Sequence, residues 1–249
     1  MHKDTLITGA NGMLGSVLSK KFKNATLLKG RKDIDLTNTE DISSFFKNKR
    51  FKQIIHCAAF TNLNYCEENP IDSFFLHSGI IPLLRSKCDK LVYISTNPSL
   101  SEKVYYKSKR KGEFLTTNRK GDLVVRVNIY GNGGLCKWAL NALKKKEMIH
   151  GYYNVYFNPV SVYQLSKFLS KKSHKYEGVV NVGADKKISK FNFLKTLAQK
   201  SGLDERLITP FEVIGDRSDL DLTVPLKNKY IKCSLKRGIN HYVKNILHS

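Results

Sequence analysis

A glycine-rich turn stands within the first fifteen residues and constrains the fold more than any other feature. The β-branched run Thr5 to Thr8 leads into Gly9-Ala10-Asn11-Gly12-Met13-Leu14-Gly15, a G-x-x-G-x-x-G spacing that opens a segment of helical period from Met13 to Phe22. Glycines allow the turn to be tight and let backbone N–H groups come close to a pyrophosphate at the positive end of the following helix. A glycine triplet alone would be an ordinary strand-to-helix turn. Its place between the first strand and first helix of a βαβ series makes it a dinucleotide-binding turn, with Gly9, Asn11, Gly12, Met13, Leu14 and Gly15 as its contacts.

An NAD-selecting fold usually carries an acid at the end of the second strand, about 20 residues beyond the turn, to hold the ribose 2′-hydroxyl. Here that place reads Lys29-Gly30-Arg31-Lys32. Basic side chains stand where a 2′-phosphate would need them, so NADP(H) is the expected cofactor and Arg31 the first candidate for the phosphate.

The rest of the first half alternates short apolar runs with helical segments. Strands are expected at Ala25 to Leu28, Gln53 to Cys57, Lys90 to Ser95 and Leu123 to Val127. Helices are expected at Glu40 to Phe46, at Pro70 to Ser86 with an interruption near Gly79 and Pro82, and at Tyr105 to Thr116. This is the pattern of a parallel sheet whose faces are both covered. After Tyr130 the character changes, with Gly131, Gly133 and Gly134 ahead of helices at Leu135 to Lys146, Val162 to Leu169 and Lys190 to Ser201, a strand at Gly178 to Val182, and a mixed tail. The expected architecture is α/β: a doubly wound Rossmann-type parallel sheet over 1–130, and a small C-terminal substrate-binding lobe over 131–249 that is partly interleaved with the sheet.

Within the helix expected after the fourth strand, Tyr105 and Lys109 stand four residues apart and so share a face. A nearby ammonium favours a phenolate, so such a pair can pass a proton to or from a carbonyl oxygen. The spacing is uninformative by itself, since random placement gives about one or two such pairs in this composition. The chain has two. The other, Tyr163 with Lys167, follows no suitable hydroxyl and reads as helix surface. Tyr105 follows a strand ending Ile94-Ser95-Thr96, which supplies a hydroxyl for the same substrate oxygen.

Charge and cysteine usage narrow the partners. Lys and Arg number 43 against 21 Asp and Glu, leaving +22, a field that draws in polyanions and phosphorylated small molecules. Only nine of the basic residues are Arg, and the lysine runs carry few interleaved aromatics, so a nucleic-acid-reading surface is disfavoured. Five cysteines form an odd set without a C-x-x-C pair, as expected of reduced thiols in the cytoplasm. No apolar stretch approaches the roughly 18 residues of a membrane-spanning helix, and no metal site is expected.

These residues resemble the extended short-chain dehydrogenase/reductases, and within them the dTDP-4-dehydrorhamnose reductase-like branch of nucleotide-sugar enzymes. Leu6 to Gly15 is similar to that family's cofactor loop, and Asp35-Leu36-Thr37-Asn38 to its adenine-contacting segment. Ile54-Ile55-His56-Cys57-Ala58-Ala59-Phe60-Thr61 is similar to the strand that passes under the nicotinamide ribose. Tyr105-Tyr106-Lys107-Ser108-Lys109 with Gly112-Glu113 resembles its active-site helix. Further on, Arg126 to Gly131, Phe157 to Val162, Tyr176 to Gly183 and Arg217 to Leu222 also have counterparts.

The resemblance implies that Thr96 polarises a sugar keto oxygen, that Tyr105 is the general acid, and that Lys109 holds the nicotinamide ribose and tunes Tyr105. It adds Asp35, Leu36, Ala58, Ala59 and Thr61 as cofactor contacts, and Arg126, Asn128, Asn158, Val160 and Arg217 on the substrate side. Trp138 or Tyr130 is a candidate to stack on the nucleotide base, although either can equally be core. The implied activity is NADPH-dependent reduction of a nucleotide-linked 4-keto-6-deoxy sugar in surface polysaccharide biosynthesis, by a protein that can be a homodimer. The loop after the second strand also resembles that of GDP-fucose synthases. Those enzymes need an additional Cys and His pair, and Asn97-Pro98-Ser99 follows Thr96 here, so reduction is favoured over epimerisation or dehydration. The chain departs from the family at the short segment Asn97 to Val104, at His77 in place of Asn, and at Tyr163 in place of an acid. A non-catalytic NADP-binding regulatory or assembly subunit of the same fold is therefore the alternative.

Overall fold

The computed structural model describes residues 4–215, 220–226 and 230–247. Seven strands form the central parallel sheet in the order β7-β6-β5-β4-β3-β1-β2, with β1 Thr5–Thr8, β2 Thr26–Leu28, β3 Phe51–His56, β4 Cys88–Ser95, β5 Leu123–Val127, β6 Gly178–Ala184 and β7 Tyr230–Cys233. This is the Rossmann-type sheet expected from the alternation. The chain runs outward from β1 to β2, then returns past β1 to begin β3 on its other side, with Leu6 opposite Thr26 on one flank and Ile54 on the other. The reversal of winding therefore lies between β1 and β3, where an open α/β sheet leaves a crevice beyond the carboxyl ends of its strands.

The chain groups into two compact units that do not divide at a single point. The first comprises 1–96, 100–126 and 166–180, and the second 97–99, 127–165 and 181–249. The crossing nearest the change of character expected after Tyr130 lies earlier, between Arg126 and Val127, and it is one of several.

In the first unit, Leu6, Ile54, Leu91 and Tyr93 fill the strands, and Ile42, Phe46, Ile81 and Leu84 cover them from the helices. These helices are α1 Gly15–Lys21, α2 Thr39–Phe46, α3 Leu63–Glu68, α4 Pro70–Phe74, α5 Ile81–Ser86 and α6 Val104–Thr117. Asn38 caps α2 by accepting from the Glu40 and Asp41 amides. The expected interruption of the Pro70 to Ser86 segment takes the form of a π-helical turn, Phe75–Gly79, between α4 and α5. An extra residue in such a turn re-aims side chains and is frequent at functional sites. Helix α6 packs so closely there that a Cβ on Gly112 would strike the His77 carbonyl oxygen and the Tyr93 hydroxyl.

The sequence reading missed α3, whose signal is Asn62 accepting from the Tyr65 amide as a cap. In the second unit are α7 Gly134–Lys144, the first residues of α8 Val162–Lys171, α9 Lys190–Lys200, short strand pairs, and α10 Leu235–Leu247, which falls in the mixed tail of the sequence. Ile239, Tyr242 and Val243 of α10 sit at helical spacing and are buried in a core with Phe193, Leu197, Ile149 and Ile208. Among the described residues no helix is long and apolar enough to cross a membrane. All five cysteines are free thiols.

Candidate active site and cofactor cleft

The turn after β1 is shaped by close approach. Gly9 has φ +65°, and a Cβ there would lie 2.7 Å from the Ala58 nitrogen and 2.8 Å from its Cα, so only glycine lets the loops after β1 and β3 meet. The Gly12 amide donates back to the Gly9 oxygen at 2.9 Å, and the Ala10 amide donates to Leu28 of β2 at 2.8 Å. Beneath the turn His56 is fully buried between Leu76 O at 3.1 Å and Thr8 Oγ1 at 2.8 Å. Burial, reinforced by the nearby Lys109, pushes its pKa down to about 4 and keeps the ring neutral. A carbonyl can only accept, so Nε2 carries the proton, Nδ1 accepts from Thr8, and Thr8 Oγ1 accepts from the Ala58 amide at 3.2 Å.

A cleft of about 190 Å³ opens beside this turn. Six residues expected from the sequence line it: Gly9, Arg31, Asp35, Leu36, Ala58 and Ala59. Leu28, Ile34, Phe60 and Leu76, which the sequence did not single out, supply apolar walls. Their only signal was apolar character, which does not distinguish a cleft wall from core, and Ile34 stands alone between Asp33 and Asp35. Arg31 stands at the rim with its side chain 56% exposed, 3.5 Å from Asp35, 3.8 Å from Asp72, and 5.6 Å from the Phe60 ring centroid. Burial works to raise the Asp35 pKa, but two hydrogen bonds from Thr37 and the charge of Arg31 hold it below the usual carboxylate value. Of the remaining expected contacts, Asn11 and Gly12 are exposed in the turn, Met13 is half-buried, Leu14 and Gly15 are buried, and Thr61 is exposed.

Thr96 and Tyr105 meet in the first unit, which also holds Lys109 on the same helix as Tyr105. Thr96 follows the end of β4, and its hydroxyl hydrogen-bonds Tyr105 near the start of α6. The sequence suggested an ammonium drawing the Tyr105 pKa down, and the structure differs. Burial dominates and raises the phenol to about 12, with Thr96 acting the other way. Lys109, one turn along α6, donates from Nζ to Ile94 O at 2.6 Å and lies 4.2 Å from the centre of the Tyr93 ring. Its burial pushes the amine down to about 7, against the opposing effects of Glu113 and Cys57. Tyr105 is therefore held as a protonated phenol, the form that can donate.

His77, noted from the sequence as a departure, joins this group from the π turn. Its ring stands edge-on to Tyr105 with centroids 5.7 Å apart, accepts from the Phe60 amide at Nε2, and bonds Ser108 Oγ at Nδ1.

Most residues expected on the substrate side are tied into the fold, and the Val160 amide donates to the Asn128 carbonyl oxygen at 2.8 Å. Arg126 closes on Glu113 of α6, with Nη2 2.6 Å from Oε2, so its guanidinium is committed within the first unit. Asn158 is 4% exposed, and both ends of its amide bond the Val224 backbone at 2.8 Å, which makes it a tether. Asn128 donates to Leu222 O at 2.5 Å. The Val160 side chain is fully buried, and Tyr130 is core, packed on Phe193 and Tyr242. Trp138, 49% exposed on α7, keeps a free surface. Arg217 lies outside the described residues. Among the described residues no group of three or more metal-ligating side chains is assembled.

The winding reversal beside β1, the glycine turn and the Tyr-Lys helix define a Rossmann-type α/β protein of the dinucleotide-fold class. The chain belongs to the RmlD substrate binding domain family, whose model matches residues 3–216. Its fold is similar to that of a dTDP-4-dehydrorhamnose reductase from Clostridium acetobutylicum, with a TM-score of 0.83 at 22% identity over 98% of this chain and 99% of that one. A dTDP-4-dehydrorhamnose reductase from Bacillus anthracis, solved in complex with NADP, matches with a TM-score of 0.85 at 21% identity over 98% and 99%. One from Yersinia enterocolitica matches with a TM-score of 0.79 at 19% identity over 96% and 98%. No curated protein matches the chain by sequence.

Proposed function

We propose that this protein is an NADPH-dependent reductase of a nucleotide-linked 4-keto-6-deoxy sugar, acting in surface polysaccharide biosynthesis. The observation that carries the reading is the grouping of Thr96, Tyr105 and Lys109 in the same unit as the glycine turn and its cleft. The cleft suits a dinucleotide: its apolar walls fit an adenine, the bare backbone at Gly9 fits a pyrophosphate, and Arg31 at the rim fits a 2′-phosphate. When bound, the dinucleotide supplies the hydride for the sugar keto carbon. Thr96 and Tyr105 share the keto oxygen, and the Tyr105 phenol gives it the proton that completes the alcohol. Lys109, on the same helix as Tyr105, holds the nicotinamide ribose. The positive field of the chain favours association with two polyanionic ligands, and five free thiols suit a reducing compartment.

One observation favours a second reading. Only eight residues, Asn97 to Val104, separate Thr96 from Tyr105, leaving little chain to shape a substrate mouth. A cofactor-binding regulatory or assembly subunit would tolerate that.

The deciding experiment is NADPH oxidation, followed at the nicotinamide absorbance, against dTDP-, GDP-, UDP- and CDP-linked 4-keto-6-deoxy sugars. Turnover of one sugar that is lost in Tyr105→Phe supports the reductase. NADPH binding without turnover across the set overturns it in favour of the subunit.

A further inference from the structure

Three hydrogen bonds, the middle one buried and the outer two part-buried, run in one direction from the floor of the cleft to the helix that carries Tyr105. The Phe60 amide donates to His77 Nε2 at 3.0 Å. That nitrogen therefore holds a lone pair, and a neutral imidazole has a single N–H, so Nδ1 carries the proton. Burial keeps the ring neutral, aided by the charge of Lys109 and the proximity of His56, which together lower its pKa to about 2. Nδ1 donates to Ser108 Oγ at 2.8 Å, and Ser108, with its own proton free to give, donates to Tyr105 O at 3.0 Å. Each group along the path accepts once and donates once, an arrangement in which neighbouring bonds polarise one another.

The two ends of this path matter to different parts of the site. Phe60 follows Ala58 and Ala59, and all three line the cleft. Tyr105 lies in the first turn of α6, which has no side-chain cap of its own: Lys103 makes no capping bond, and the Val104 amide is met instead by Glu67 from α3 at 2.7 Å. The first turn is thus held by neighbours, and the Ser108 bond to the Tyr105 carbonyl is one of its fixings. His77 is itself pinned, since its carbonyl accepts from the Tyr93 hydroxyl at 2.9 Å. Its ring presents an edge-on contact to the Tyr105 ring as well.

We infer that His77 is a positioning residue that couples the cofactor floor at Ala58–Phe60 to the pose of Tyr105, through Ser108. Its ring meets the edge of the Tyr105 ring but takes no part in transferring the proton or the hydride. It acts by fixing the loop on one side and the first turn of α6 on the other. The role of Tyr105 in this inference rests on the reductase reading.

The two arms can be cut separately. An Asn amide reaches the position of Nδ1 and a Gln amide that of Nε2, so His77→Asn keeps the Ser108 arm and leaves the Phe60 amide unmet, while His77→Gln does the reverse. Ser108→Ala cuts the Tyr105 arm alone. Each variant is measured for melting temperature, NADPH Kd, kcat, and the 13Cζ signal of Tyr105, assigned by its loss in Tyr105→Phe.

Ser108→Ala and His77→Gln are expected to lower kcat about tenfold and shift the Tyr105 signal, with NADPH Kd within about twofold of wild type. His77→Asn is expected to weaken NADPH binding by about fivefold or more, with a smaller effect on the Tyr105 signal. Overturning results are a Ser108→Ala protein with an unmoved Tyr105 signal, or two His77 variants that change Kd and the Tyr105 signal alike in proportion to their loss of melting temperature. A wild type that binds NADPH and reduces no sugar would remove the reductase reading. The Kd and Tyr105 arms of the experiment, which need no turnover, would still decide the coupling.

Discussion

Arg126 of β5 and Glu113 of α6 form a part-buried ion pair in which Nε lies 3.1 and 2.9 Å from the two carboxylate oxygens and Nη2 lies 2.6 Å from Oε2. Ser95, at the end of β4, donates to the same carboxylate at 2.5 Å. One acid therefore joins two strands and the helix that carries Tyr105 and Lys109. With the Glu113 side chain 10% exposed, removal of Arg126 leaves a carboxylate with little water to replace its partner. Arg126→Leu is expected to destabilise the fold by about 3–5 kcal/mol, and the double variant Arg126→Leu with Glu113→Leu to recover most of that loss. Urea unfolding of the three proteins measures it. A single variant as stable as wild type would show that Glu113 finds water or another donor.

The same carboxylate bears on the pH dependence of turnover. Burial brings Lys109 down to about 7, and Glu113 opposes that shift. Tyr105, at about 12, stays protonated throughout the working range. A reductase that needs the Lys109 cation should lose kcat/KM as pH rises through about 7, with no second inflection from Tyr105 below pH 10. Glu113→Gln should move the inflection to lower pH, because the neutral amide no longer favours the ammonium. A profile flat from pH 5.5 to 9.5 would show that the charge on Lys109 is not needed.

Much of this arrangement could be read from the chain because it is local. The glycine turn, the Lys29 to Lys32 loop and the Tyr105/Lys109 pair each lie within one short segment, where period and turn chemistry speak directly. The substrate-side candidates fared differently. Arg126 and Asn158 found their partners 13 and 66 residues away, at Glu113 and Val224, and no local pattern announces such pairings. His77 was visible only as a departure, since its meaning depends on Phe60 and Ser108 meeting it in space. The π turn that aims it carries no composition signal beyond Gly79 and Pro82.

Two glycines near the cleft make a controlled pair. Gly9 combines φ +65° with a Cβ position 2.7 Å from the Ala58 backbone, whereas a Cβ on Gly30 meets nothing within 4 Å and its φ is ordinary. Gly9→Ala must push the loop after β3 away, and should weaken NADPH binding by about tenfold or more while lowering stability by about 1–3 kcal/mol. Gly30→Ala, whose Cβ meets no protein atom although the residue also lines the cleft, should leave stability unchanged. Titration calorimetry with thermal melting compares them, and equal losses of stability in the two variants would defeat the close-approach argument.

Acid should destabilise the fold through its buried imidazoles. His56 and His77 are held neutral down to about 4 and about 2, while in the unfolded chain each takes a proton near 6.5. Between pH 6.5 and 4 the unfolded chain binds up to two more protons than the folded one at these sites, so stability that is whole above pH 6.5 falls as pH drops, by up to about 1.4 kcal/mol per pH unit for each ring. The His56 share is exhausted near pH 4, and the His77 share continues to about pH 2. Urea midpoints at pH 7.5, 6.0 and 5.0 should fall more steeply in wild type than in His56→Gln. Equal slopes in the two proteins would mean that His56 takes up its proton in the folded state.

Arg31 should set the choice between NADPH and NADH. Its guanidinium is exposed at the cleft rim, and its two carboxylate neighbours, at 3.5 and 3.8 Å, lie beyond the distance of a good charge-assisted hydrogen bond. Such pairs are weak at an exposed site, so a 2′-phosphate can replace them at little cost. Asp72 competes with the phosphate without lining the cleft, whereas Asp35 is held in place by Thr37. Arg31→Ala should therefore weaken NADPH by about tenfold and leave NADH within about twofold, and Asp72→Asn should tighten NADPH modestly. The Arg31 effect should shrink as salt is raised from 0.05 to about 0.5 M, because the contact is solvent-screened. Kd values for both dinucleotides in the three proteins test this, and an Arg31→Ala protein that loses NADPH and NADH equally would assign Arg31 to holding the loop after β2, and not to the phosphate.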